Sequence, residues 1–407
     1  MVEANKPLAG IKVVEVAMWA FVPSAAALLS DLGADVVKIE APQGDPIRQL
    51  ETAGVDKAAT GLSYMWEIFN RGKRSVTMDL NVEGSTELLH RMLEGADVFI
   101  TNLLPKARRK LKIDVEDITS RHPNIIYAVG SGYGAHGPGA EKGGFDSISF
   151  WGRSGVASAV TPEGMSHPVA MPAGAFGDGT SGAIFAGGIC AAIAQRALTG
   201  KASVVDASLM GTGLWAMQQG IVGAWLSGVT ELPKRKRENP PNVLSSVYRT
   251  SDGRHIQLAF LQAQRYWPGF CEVVGRPELA TDPRFATAAD RSQNVTECVA
   301  VLDEIFAQRT FAEWKTLLAR QEGQWDIIGK VGEMHEDEDA VANGFIQDVD
   351  YGDGRKLKMV AAPFQFDRQA LKPRPAPELG AHNDEVLAEM GLSEEEIIDL
   401  KVAGIVY

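Results

Sequence analysis

The chain has 407 residues, more than one domain usually holds, and its 45% hydrophobic content and mean hydropathy of −0.08 describe a globular protein with a sizeable core. A formal net charge of −12 and a pI of about 5.2 argue against nucleic acid and anionic membrane as partners, since neither gains from a field of its own sign. The three cysteines, Cys190, Cys271 and Cys298, form no C-x-x-C pair, which predicts reduced thiols and a cytoplasmic location. The opening MVEANKPLAG has no basic, then apolar, leader pattern, so no signal peptide is expected.

In chain order, IKVVEVA (11–17) reads as a strand, PSAAALLSDLGA (23–34) as a helix and DVVKIE (35–40) as a second strand. SVTMDL (75–80), a helix over 84–96, DVFITN (97–102), a helical stretch over 105–121 and NIIYAVGSGYG (124–134) continue the alternation. Such alternation predicts an α/β fold with a parallel sheet covered by helices. A small-residue helix follows in 175–196, then a strand over 202–209 and another helix. Its core, Ala183–Ala194, carries no charge and reads as a buried helix too short to span a bilayer. KRKRENPPN (234–242) reads as a linker and YRTSDGRHIQLAF (248–260) as a hairpin turning at Asp252–Gly253. Helical segments run to about 325, so 1–224 is read as a first domain, 225–335 as a smaller second one and 336–407 as a tail. That tail holds a strand-like KLKMVAAPFQF (356–366) and a closing helix over 393–404.

Several motif matches lead nowhere. Gly130–Ala135 fits a dinucleotide fingerprint, but AHGPGAEKGG after it opens no helix to hold a pyrophosphate. No phosphate loop and no G-x-S-x-G elbow occur, and no histidines pair at metal-binding helical spacing, so no metal and no tightly bound cofactor are expected. Two basic runs, NRGKRS (70–75) and KARRKLK (106–112), flank strands in an otherwise acidic chain. They read as solvated surface or as an anion site. Asp178, between Gly177 and Gly179 at the head of the small-residue helix, is a cap or a nucleophile, and Thr180 and Ser181 offer alternative caps.

Together, PLAGIKVVEVA, LLSDLGADVVKIEAPQGDPIR, NRGKRSVTMDL, ADVFITN, GYGAHGPGAEKGGFD, GDGTSGAIFAGGICAAIAQRALTG, YRTSDGRHIQLAF and LGAHNDEVLAEMGLSEEEI resemble, in order and spacing, the class III (family III) CoA-transferases. That family includes formyl-CoA transferase, carnitine CoA-transferase and α-methylacyl-CoA racemase. The resemblance implies a large Rossmann-like α/β domain built from the N- and C-terminal parts, a smaller α+β domain and an interlocked homodimer. It also implies transfer of CoA, part of the substrate rather than a resident cofactor, from an acyl-CoA to a carboxylic acid.

On this resemblance the nucleophile falls on Asp178, which would form an anhydride and then an aspartyl-CoA thioester. Gly177 and Gly179 would allow close approach, and amides at the helix start would face an oxyanion. CoA contacts fall on Ala20 and Phe21, on Asn70, Arg71, Gly72, Lys73 and Arg74, on Asn102, Leu103 and Leu104, and on Phe145, which core packing would also explain. Lys110 stands where the family has an arginine. Ala41 replaces another, leaving Arg48 or Lys73 as substitutes. The racemase branch has a G-H-D segment; here it is Gly144-Phe145-Asp146, with Phe145 unable to move a proton and Asp146 placed to assist. Gln262, Gln264 and Arg265 are candidates for an acyl pocket or an exposed helix start. A racemase, an isomerase moving CoA within one molecule and a non-catalytic acyl-CoA-binding protein are the alternatives.

Overall fold

The computed structural model describes residues 6–50, 61–234 and 236–407; the first five residues of the opening segment and Arg235 of the expected linker lie outside that set. The described residues form two compact units. One draws on the chain up to Val160, on Pro168–Thr230 and on His335–Tyr407, and the other on Thr161–His167 and Glu231–Met334.

The first unit is built on a six-stranded parallel sheet of β1 (Lys12–Val16), β2 (Asp35–Glu40), β3 (Arg74–Thr77), β4 (Val98–Thr101), β5 (Ile126–Ser131) and β6 (Val204–Ser208). The order is β3-β2-β1-β4-β5-β6, that of a doubly wound fold. The central strands are almost continuously apolar because both faces are covered. Val13, Val36, Val98, Ile100 and Ile126 point into one core, against α1 (Phe21–Asp31) and the long helix α6 described below. Val14, Val37, Phe99 and Tyr127, one residue out of phase, point into the other. The helix α2 (Tyr64–Asn70) precedes β3, and α3 (Ser85–Leu93) lies between β3 and β4.

The stretch 105–121 is two helices, α4 (Pro105–Leu111) and α5 (Val115–Arg121). Lys112 takes a left-handed turn between them (φ 55°) and Asp114 starts the second with a reciprocal capping box. After β5 the chain makes a π-helical turn, Ser147–Arg153, and then the 24-residue α6 (Phe176–Thr199). The expectation of a wholly buried helix does not hold. Phe185, Ala186, Ile189 and Ala192 are buried, while Ile184 and Leu198 on the other side are exposed. By length and composition alone, α6 is long and apolar enough to cross a membrane; its buried side packs on α1, with Gly182 so close that a Cβ would sit 1.7 Å from Ser24 Oγ. The helices α7 (Leu209–Ala216) and α8 (Gln218–Ser227) follow β6.

In the second unit the expected hairpin forms: β7 (Val247–Arg249) pairs antiparallel with β8 (His255–Leu258), with Gly253 at φ 78° in the turn. The strand β9 (Trp325–Ile327) joins β8, and α9 (Ala263–Val273), α10 (Ala288–Gln293), α11 (Val295–Phe306) and α12 (Phe311–Leu318) surround a core of Tyr248, Trp267, Phe270, Phe306 and Trp314.

The tail returns to the first unit. β10 (Ile346–Asp350) pairs with β11 (Lys356–Val360), and the strand read over 356–366 stops there because Pro363 has no N–H for a ladder. Gln365–Phe366 pairs instead with Gln369–Ala370. The closing helices α13 (Asn383–Glu389) and α14 (Glu394–Val402) frame a cover for the short edge strand β3. Thr77 N donates to Asn383 Oδ1 (2.8 Å), His382 N to Ser75 O (3.0 Å) and Asp79 N to Ile405 O (3.0 Å).

Candidate active site

The head of α6 is not capped by Asp178. Its N-cap, Ala175, sits in a left-handed conformation (φ 59°) and offers no side-chain acceptor. The cap comes from Asp146, at the entry to the π-helical turn: its Oδ2 accepts from Gly177 N at 3.1 Å and its Oδ1 from Ser147 N at 2.7 Å. Phe150 of that turn rests on Gly177, where a Cβ would lie 2.7 Å from the ring. Thr180 bonds back to Phe176 O inside the helix, and neither it nor Ser181 caps anything. Asp178 is buried, and among the described residues no hydrogen bond reaches its carboxylate. Burial, and then the charge of Asp146, push its pKa up to about 8. The amides expected to face an oxyanion are already engaged: Gly177 N by Asp146, and Gly179 N by Ala175 O at 3.0 Å.

The sheet order reverses between β1 and β4, the place where open parallel sheets bind ligands beyond the strand ends. A cavity of about 650 Å³ opens there, with Asp178 in its wall. The segment after β1 is clamped at successive residues. Asn102, just beyond β4, accepts from Met18 N (3.0 Å) and donates to Met18 O (2.6 Å). Asp45 accepts from Trp19 N (3.0 Å), holding Trp19 at φ 67°. Lys38 Nζ donates to Ala17 O (2.7 Å) and pairs with Glu15 and Asp45, each at 3.0 Å. Burial opposes that ammonium, but Glu15 and Asp45 overcome it and hold its pKa above the usual lysine range. These bonds present Met18, Trp19 and Phe21 to the cavity and set the Trp19 ring edge-on to Phe145, centroids 5.5 Å apart.

Phe21, Asn102, Leu103, Leu104, Phe145 and Asp178 all border this cavity. Asp146 stands behind it as the cap of α6. Ala20 is buried in a small core with Ile47, Met65, Trp66 and Phe69. The run Asn70–Arg74 does not line the cavity, and its side chains are spent inside the fold. Asn70 accepts from Lys73 Nζ (2.9 Å), and Arg71 pairs with Asp31 (2.7 Å). Gly72 O accepts from Ser30 Oγ (2.7 Å). Lys73, fully enclosed, pairs with Glu15 (2.7 Å) and donates to Pro23 O (2.9 Å); burial outweighs Glu15 and lowers its pKa to about 8. Arg74 is shared by Asp35, Glu385 and Glu389. Arg48 forks onto Glu40 and stacks on Trp66, 3.4 Å from the ring centroid.

Lys110 turns away to Asn81 (2.9 Å), but its neighbours Arg108 and Arg109 face the cavity, as does Lys142. Arg108 is bonded to Asp114 and to Leu103 O, both at 3.0 Å, and Arg109 to Glu141 at 3.1 Å. Sequence reasoning missed Lys142, whose signal was a lone cation in a glycine-rich loop three residues before Phe145. It also missed Asp206 on β6, another cavity carboxylate, raised in pKa by burial against the pull of Arg108 and His136. Gln262, Gln264 and Arg265 belong to the second unit, where they border a separate cavity of about 540 Å³ with Arg291.

The family model for CoA-transferase family III matches residues 8–383. Over 400 residues the chain is 34% identical to the (R)-2-hydroxy-4-methylpentanoate CoA-transferase of Clostridioides difficile, covering 98% of this chain and 99% of that protein. It is 27% identical to the cinnamoyl-CoA:phenyllactate CoA-transferase of Clostridium sporogenes, covering 96% and 95%. Among solved structures, a CAIB/BAIF family protein from Brucella suis is similar with a TM-score of 0.80 and 30% identity, over 95% of this chain and 100% of that one. Rv3272 from Mycobacterium tuberculosis gives a TM-score of 0.80 at 27% identity, over 93% and 98%. Family match, relatives and fold agree, and the chain belongs to CoA-transferase family III and is a CoA-transferase.

Proposed function

We propose that the enzyme passes CoA between two carboxylic acids through covalent intermediates on Asp178. The observation that carries this reading is that Asp146 caps α6, which leaves the Asp178 carboxylate buried, uncapped and facing a cavity at the switch point of the sheet. An Asp178 oxygen attacks the thioester carbonyl, the C–S bond breaks, and an acyl-aspartyl anhydride and CoA thiolate result. The thiolate attacks the aspartyl carbonyl, the donor leaves as its carboxylate, and CoA is held as an aspartyl thioester. An acceptor carboxylate repeats the two steps in reverse and leaves as the new acyl-CoA. Partial enclosure of Asp178 both raises its ground-state energy and keeps water from the anhydride. On this reading Arg108, Arg109 and Lys142, which border the cavity, bind the CoA phosphates.

Racemisation needs two acid/base groups flanking one carbon. Here Phe145 has no proton to give, and Asp146 spends both oxygens on backbone amides. A homodimer, the assembly implied by the resemblance, is supported by apolar side chains left open on α6, α7 and α8: Ile184, Leu198, Trp215, Val222, Trp225 and Leu226. The test of function is a transfer assay on Asp178→Asn. Loss of CoA transfer from any acyl-CoA, with CoA binding retained, is the expected result; full transfer by Asp178→Ala would refute the scheme.

A further inference from the structure

The cavity that Asp178 borders has an apolar, open stretch of wall. Met18, Leu104 and Phe145 line it with 37%, 44% and 51% of their surface exposed, an arrangement that leaves water against greasy side chains unless a ligand takes its place. Trp19 stands edge-on to Phe145, and Asp45 and Asn102 hold its segment in a left-handed conformation that a tryptophan does not adopt by preference. The two rings are therefore placed before any ligand arrives.

The charges around the same cavity are sorted in a way that bears on what enters. Arg108 is paired with Asp114 and Arg109 with Glu141. Asp206 adds one carboxylate and Lys142 one cation, neither with an ion pair among the described residues. A second carboxylate on an acyl chain would lose its hydration against the aromatic rings of Trp19 and Phe145. An uncharged chain meets no such cost.

We propose that Trp19 and Phe145 form the acyl subsite, flanked by Met18 and Leu104, and that it selects an uncharged apolar acyl group, branched aliphatic or aromatic, over a dicarboxylic one. This rests on the reading that Asp178 receives the thioester carbonyl. Lys142 then serves the CoA moiety common to all donors.

The test follows exchange of CoA between an acyl-CoA and its own ¹³C-labelled free acid, which puts one acyl group on both sides of the reaction. Three pairs are compared in the full-length protein: 4-methylpentanoyl, 3-phenylpropanoyl and glutaryl. The wild type is expected to show a kcat/KM at least tenfold higher for one of the two apolar groups than for glutaryl. Trp19→Ala and Phe145→Ala are expected to collapse that ratio at least tenfold, mainly through KM, and Phe145→Leu to restore part of it. Lys142→Gln is expected to raise KM for every donor by a similar factor. A wild type that favours glutaryl, a ratio untouched in both ring variants, or a loss confined to glutaryl in Lys142→Gln would each overturn the subsite while leaving Asp178 chemistry intact. Absence of exchange with all three donors would overturn the subsite, and the Asp178 reading would be decided by the Asp178→Asn assay.

Discussion

Two aspartates thirty-two residues apart have different surroundings at the head of α6. Asp146 satisfies helix amides and leaves the Asp178 carboxylate without that task, and on the proposed reading it is Asp178 that reacts. Replacing Asp146 with Ala should cost about 1 kcal/mol of stability, as loss of a helix cap does, and should lower transfer as well. Asp146→Asn, which keeps an acceptor, should retain most of the stability; denaturant unfolding of the two variants checks this. Asp178 has a folded-state pKa of about 8 against an ordinary 3.8, so the folded protein keeps a proton that the unfolded chain releases between these values. The stability associated with that proton is complete below the unfolded value and is lost as pH rises through the folded one. Asp178→Asn should therefore melt higher than the wild type at pH 8–9, with the gap closing toward pH 4. The reacting form is the carboxylate, so kcat/KM for acyl-CoA should climb with pH toward about 8. A flat profile from pH 5 to 9 would contradict the burial of Asp178.

At the scale of elements, the segment between β1 and α1 owes its shape to charges beneath it. Lys73 belongs to that buried set, with Glu15 and Pro23 O. Lys73→Ala removes one of the two buried cations on Glu15 and the donor to Pro23 O, so it should cost about 3 kcal/mol in thermal or chemical unfolding, the low end for a broken buried pair. It should do so without the selective rise in KM for acyl-CoA that a surface phosphate ligand would show. Arg109→Ala, on the cavity side, should behave in the opposite way: little loss of stability and a clear rise in KM, since its exposed guanidinium is available to a phosphate. The basic run 70–75 looked like an anion site because the sequence shows charges but not their partners. Glu15 lies on β1 and Glu385 and Glu389 on the returning tail, both remote from Lys73 and Arg74 in the chain. The strands were legible because near-continuous Val and Ile runs alternate with helical spacing. Strand order was not, because it depends on which crossover lies on which side of β1. Asp178 was visible as an acid between glycines and Asp146 through the resemblance, whereas the capping of α6 by Asp146 was not, because the π-helical turn that follows Asp146 leaves no pattern in the sequence.

Across the whole molecule, the open apolar faces of α6, α7 and α8 predict an assembly with twice the 43.8 kDa chain mass in solution. Trp225→Asp together with Leu226→Asp should weaken it in light scattering coupled to gel filtration; a wild-type monomer at micromolar concentration would oppose this. The central claim is covalent chemistry at one residue, and the mass of the intact chain reads it directly. Protein mixed with an acyl-CoA in the absence of acceptor, quenched in acid and analysed by mass spectrometry, should gain CoA with loss of one water, and peptide mapping should place the adduct on Asp178. Hydroxylamine should convert it to a hydroxamate at the same position. Turnover with no adduct on Asp178, or with the adduct on another residue, would contradict the account.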